Sequence, residues 1–154
     1  MNKKAVSPLI ATLLLIFAAV VLGVLVMNWG RAQVEAGAKC SVVTDMKFIE
    51  IGGVDQICYS AAEKGFIEFT VENGVNVDIE KLHFRVIGSK KVYATELTGV
   101  IEKAGALKQT VPYNGRLFGE VKQVKITPKI ILYPGDPAIL CEEQAIVAEK
   151  VRKC

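Results

Sequence analysis

The chain has 154 residues, with 19 lysines and arginines against 16 aspartates and glutamates, one histidine and a formal net charge of +3. That length allows one modest domain and an appendage, not two full domains. The weak charge, with no basic patch interleaved with aromatics, gives little support for nucleic acid as a partner. Hydrophobic residues make up 51% and the mean hydropathy of +0.35 is high for a water-soluble chain; the excess sits at the N-terminal end.

Residues 1–5, MNKKA, form a short positive leader. From Val6 to Met27 there is no charged residue, and Ser7 and Thr12 are the only hydroxyls. An apolar run of about 20 residues is long enough to cross a bilayer as a helix. Pro8 is tolerated because the first helical turn does not need its N–H. Gly23 is the weak interior helix former, costing about 1 kcal/mol relative to alanine. The helical pattern continues through NWGRAQVEAGAK, where Trp29 and Arg31 suit a membrane–water boundary and Gly37 marks an expected end. A helix from about Ser7 to Ala36 would be about 45 Å long at ~1.5 Å per residue.

Beyond Cys40 the pattern turns to β. SVVTDMKFIEI is rich in β formers and ends at a Gly52-Gly53 turn. GFIEFTVE sets Phe66, Ile67, Phe69 and Val71 against Glu68, Thr70 and Glu72, and Asn73-Gly74 breaks it. KLHFRVIG alternates Leu82, Phe84 and Val86 with His83 and Arg85, and KVYATELTGVI follows a Gly88-Ser89 turn. ALKQTVPY ends at Asn114-Gly115, and GEVKQVKITPKIILY reads as two short strands or one strand bent at Pro128. After the Pro134-Gly135-Asp136-Pro137 turn, the segment AILCEEQAIVAEKVRKC has the Glu and Ala content of a helix, but its Ile, Val and Cys positions allow a long edge strand, which is the expectation here. About seven short strands with turns every eight to twelve residues indicate an antiparallel, Ig-like β-sandwich. The expected fold class is α+β: a long apolar helix followed by a β head, with residues 1–5 as leader, 6–37 as helix and 38–154 as head.

Three readings compete for the N-terminus. A conventional signal peptide has an apolar stretch of about 7–15 residues and small residues at its cut; here the run is longer, and Ala36-Gly37-Ala38 lies well past its end. A single-span anchor would hold one extracellular domain on the membrane. The third is a prepilin, cut before the apolar run, which then stays in the mature chain. Lys3-Lys4, Ala5 and Val6-Ser7-Pro8-Leu9-Ile10-Ala11 resemble the class III signal sequence of archaeal type IV pilins, a dibasic pair and a small residue before a V-S-P segment. The resemblance covers about the first 35 residues strongly, and FTVENGVNVDIEKLHFRV more weakly. It implies cleavage between Ala5 and Val6 by a prepilin peptidase, a membrane aspartyl protease that recognises Lys3 and Lys4. Bacterial pilins place a glutamate five residues into the mature helix; this chain has Ile10 there, as archaeal members commonly have an apolar residue. Archaellins, whose filament rotates for swimming, are relatives.

The resemblance implies a structural subunit of an extracellular filament, a homopolymer that rests in the membrane before a pilus assembly platform extrudes it, serving adhesion. The candidate assembly residues are Pro8, Leu9, Leu13, Ile16, Phe17, Val20, Gly23 and Val24, and Ala18, Ala19 and Gly23 leave room for a neighbouring helix. No enzymatic, cofactor or metal constellation is expected: His83 stands alone between apolar strand residues, Glu142-Glu143 reads as a solvated face, and Gly52-Gly53 as a turn. The four cysteines, Cys40, Cys58, Cys141 and Cys154, are an even set downstream of an export-type segment, which favours two disulfides and an oxidising compartment. Of three connectivities, the local one is preferred: Cys40 with Cys58 at the helix–head junction, and Cys141 with Cys154 across the last strand.

Overall fold

The computed structural model describes residues 8–40, 42 and 44–154, with side chains given for residues 10–31, 40, 42 and 44–154. It divides into two compact units that meet between Ala38 and Lys39. The first unit is carried by helix α1, Pro8–Lys39, of 32 residues. The helix begins where Pro8 allows, but it runs past Ala36 and through Gly37 to Lys39. One glycine costs only about 1 kcal/mol, and propagation of a helix already nucleated over many turns absorbs that.

The second unit is built of strands. In chain order they are β1 (Lys47–Phe48), β2 (Glu50–Ile51), β3 (Val54–Asp55), β4 (Ile57–Tyr59), β5 (Gly65–Glu72), β6 (Ile79–Gly88), β7 (Val92–Ile101), β8 (Ala106–Tyr113), β9 (Val121–Ile130), β10 (Ile139–Leu140), β11 (Ile146–Ala148) and β12 (Arg152–Lys153), with a short helix α2 (Gly115–Phe118) before β9. In the first sheet β8 pairs along all of β5, and the other edge of β5 takes β1 and β4 end to end, with β12 beyond β4. In the second sheet β6 lies between β7 and β9, and the far edge of β9 takes β10 and β11 end to end. All these pairings are antiparallel except β12 with β4. The layout expected from the sequence, a long apolar helix and then a mainly antiparallel β domain, is what the chain adopts.

Strict alternation builds the core. Ile67, Phe69 and Val71 of β5 and Leu82, Phe84 and Val86 of β6 are all fully buried, because side chains two apart share a face of a strand. Phe69 stacks on Phe84 across the two sheets at 5.3 Å between ring centroids. Phe66 falls on the other parity and faces outward with Glu68, not inward with Ile67 as expected. The Gly52-Gly53 turn forms as read: both residues have positive φ, 61° and 76°, which the two-residue hairpin joining β2 to β3 requires. Asn73 ends β5 and ties two loops together, its side-chain amide reaching the carbonyls of Val77, Ile101 and Glu102 at 2.8–3.1 Å.

The structure decides one open alternative, corrects one expectation and adds one element. First, of two strands or one at Pro128 it forms one: β9 is a single ten-residue strand through Pro128. Proline lacks a donor, and Pro128 sits where the strand lane beyond β9 is interrupted between β10 and β11, so its carbonyl accepts from Cys141 N at 3.0 Å and no ladder donor is missed. Second, the C-terminal segment is neither a long strand nor a helix. It breaks into β10, a 3-10 turn over Glu142–Gln144, β11 and β12, because its cysteines and Gln144 are engaged elsewhere. Third, α2 was not anticipated; Asn114 caps it, accepting from the N–H groups of Arg116 and Leu117.

Candidate functional site: an exposed apolar helix and the clamp at its exit

The helix has no polar face to turn to water. From Ile10 to Met27 Thr12 is the only polar residue, so burial on one side and solvation on the other, the arrangement of a surface helix of a globular protein, is ruled out by composition. Fourteen large apolar side chains between Ile10 and Trp29 are 40–72% exposed. Among the candidate assembly residues, Leu13 and Ile16 are each 60% exposed, Phe17 68%, Val20 60% and Val24 54%. A Cβ placed on Gly23 would meet nothing within 4 Å. Pro8 and Leu9 lie in the helix, with side chains outside the described residues. Lys3, Lys4, Ala5 and Val6, the proposed recognition and cleavage residues, also lie outside the described residues. The span Ile10–Arg31, 22 residues, is long and apolar enough to cross a membrane.

Where the chain leaves the helix it is fastened at once. Cys40 is bonded to Cys141, with Cα atoms 5.5 Å apart, and Cys58 to Cys154, 5.0 Å apart. The expected local pairing is therefore wrong. Cys58 lies on β4, and β12 runs alongside it with Arg152 opposite Cys58, which delivers Cys154 there and not to Cys141. Cys141 directly follows β10, at the end of the second sheet. Both bridges thus join the first stretch of the β domain to its last, and both are compatible with an oxidising, extracellular compartment.

Gln144 completes the clamp. Its Nε2 donates to the carbonyls of Cys40 and, at 2.8 Å, Val42, while its Oε1 accepts from Thr44 N at 2.9 Å. One side chain thus satisfies three backbone groups on a segment that is in neither helix nor sheet, and buried backbone groups need such partners. Nothing in the sequence singles out Gln144. It lies 104 residues from Cys40, and its Cys-Glu-Glu-Gln surroundings read as a solvated face. Glu142 does reach solvent, and there it accepts from Lys125. That hydrogen bond holds its carboxyl below the ordinary range, with the nearby charges of Lys125, His83 and Arg85 adding to it.

His83 is half-buried on the outer side of β6, between Glu96 of β7 and Thr127 of β9. Among the described residues no group of three His, Cys, Asp or Glu side chains converges as a metal site. One groove of about 540 Å³ between β1 and β11 brings together Glu50, Asp55, Glu72 and Lys47, of which Lys47 and Glu72 pair at 2.8 Å. No protein-family model, curated protein or solved structure matches the chain.

Proposed function

We propose that this chain is a structural, non-catalytic subunit of an extracellular filament of the archaeal type IV pilus kind, held together by packing of α1 against the same helix of other subunits. The observation that carries the reading is the stripe-free apolar surface of α1. Burying a large apolar side chain is worth roughly 1.5–3 kcal/mol. Fourteen of them, about half exposed as the helix stands alone, represent a gross drive on the order of tens of kcal/mol before ordering costs. Lipid satisfies that drive before assembly. Outside the cell the partner present at the right concentration and of the right shape is another copy, and head-to-tail packing that does not close gives a helical fibre. The V-S-P entry together with the paired cysteines favours a pilin with an adhesive role over an archaellin.

The test is the N-terminus of the mature protein together with electron microscopy of sheared cell-surface material. Val6 as first residue, with filaments, supports the proposal. Met1 with a protein that stays in the membrane supports a single-span anchor. Lys39 as first residue, on a soluble monomer, overturns the proposal.

A further inference from the structure

The second sheet ends on β7, which among the described strands pairs with β6 alone. Alternate N–H and C=O groups on its other side therefore face outward. An open edge is a template for another strand, and proteins blunt edges with short strands, charges, prolines or bulges. The other edges here are blunted: β8 carries Lys108 and Pro112, β1, β10 and β12 have two residues each, and β11 has three. β7 has no such device from Val92 to Thr98, where its register with β6 runs unbroken; the slip comes only beyond Thr98. Its one charge, Glu96, is held within its own sheet by Lys81 at 3.2 Å and Lys129 at 2.7 Å.

The geometry points to a second copy of β7 as the occupant of this edge, paired antiparallel about a two-fold axis at Thr95, the centre of the regular stretch. In that register Val92 meets Thr98, Tyr93 meets Leu97, Ala94 meets Glu96 and Thr95 meets its own copy. Each pair shares one face of the joined sheet, since the positions in a pair differ by an even number. Tyr93 and Leu97 already pack against the core, and cross-strand aromatic–aliphatic and Thr–Thr pairs are favourable. Charge selects the register: with the axis on Glu96 two glutamates would face each other, whereas about Thr95 each faces an alanine. With the axis on Leu97 the pairing would run into the irregular Gly99–Val100 step.

A two-fold contact is isologous and closes on itself. Successive subunits of a polar helical filament are related by a screw operation, so this contact is not the one that repeats along a filament. It joins two filaments side by side. That last step rests on the filament reading proposed above; the pairing of two β7 strands does not.

The test uses the full chain in detergent micelles. Thr95→Cys should form a disulfide-linked dimer on mild oxidation, because directly opposite residues stand about 5 Å apart at Cβ, while Thr98→Cys, facing Val92, should not. Thr98→Glu combined with Val92→Lys places two opposite-charge pairs across the axis; combined with Val92→Glu it places two like-charge pairs. Association should tighten in the first and weaken in the second, each by roughly two- to thirty-fold. Equal cross-linking of the two cysteine variants, or charge variants that shift the same way, overturns the pairing. Register-specific cross-links in micelles, with no filaments in micrographs of sheared cell-surface material, leave the pairing standing and sink the filament reading. Filaments whose lateral association ignores both charge variants do the reverse.

Discussion

Phe17 in α1 is 68% exposed and Phe84 in β6 is 0% exposed. The two residues are chemically identical, and the difference belongs to the elements that hold them. β6 alternates, so it can turn Phe84 inward and His83 outward and complete its core within one chain. Helix α1 is apolar all round, so no folding of this chain alone can bury it. The β domain closes its own core and carries both long-range bridges; on the filament reading proposed above, the helix is covered by lipid or by other copies. That reading lodges the stability of the head and the growth of the filament in different units, and a substitution in one should leave the other's observable unchanged.

The largest expected effect breaks that separation at the helix. Leu15→Arg puts a charge on a side chain that is 72% exposed in the isolated helix. A charge at the centre of an apolar span costs about 2.5–3.5 kcal/mol on insertion scales, repeated at each subunit of a polymer. Filaments should be absent from micrographs, while thermal melting of the β domain followed by near-ultraviolet circular dichroism should be unaltered. Intact filaments from this variant would sink the assembly role of α1.

The next effect is confined to the β domain. The two bridges span 101 and 96 residues, so a chain-entropy account gives them nearly the same worth. Cys40→Ser with Cys141→Ser, and Cys58→Ser with Cys154→Ser, should each cost about 2–5 kcal/mol in chemical denaturation. Peptide mapping without reduction should recover Cys40 with Cys141. Next in size is Gln144→Leu, which leaves Thr44 N–H and the carbonyls of Cys40 and Val42 without their partner. It should cost about 1–3 kcal/mol and speed hydrogen exchange at the Thr44 amide. Gln144→Glu, which keeps the acceptor and loses both donors, should protect Thr44 better than Gln144→Leu does.

Legibility in the sequence followed the range of the interaction. The helix was readable because composition alone decides it, and β5 and β6 because period-two alternation is a local signal. Gly52-Gly53 marked a turn, and Asn73-Gly74 and Asn114-Gly115 marked strand ends, for the same reason. Phe66 was misassigned by grouping it with Ile67, when adjacent strand residues face opposite ways. The cysteine pairing was not readable, because nearness in sequence does not rank cysteines that the sheet order brings together: the parallel lane of β12 along β4 exists only in the assembled sheet. Gln144 was missed for the same reason. The candidate assembly face rests on residues whose apolar character is plain, whereas the clamp on Cys40, Val42 and Thr44 rests on contacts about a hundred positions apart.

The smallest expected effect separates the two units by pH. Glu96 is held below the ordinary carboxylate value of 4.5 by hydrogen bonds from Lys129 and Lys81, and Glu142 by one from Lys125. A folded-state value below the unfolded one means that the unfolded chain binds more protons between the two, so this stabilisation is complete above about pH 4.5 and is lost as pH falls through the folded values. The pairs reach solvent, so the loss should be smaller than any above and should shrink further in high salt. Between Ile10 and Met27 the helix has no titrating group. Acid should therefore lower the melting temperature of the β domain and leave helix-mediated assembly alone. If filaments instead fell apart at the pH where the heads loosen, head contacts rather than α1 would be holding the polymer together.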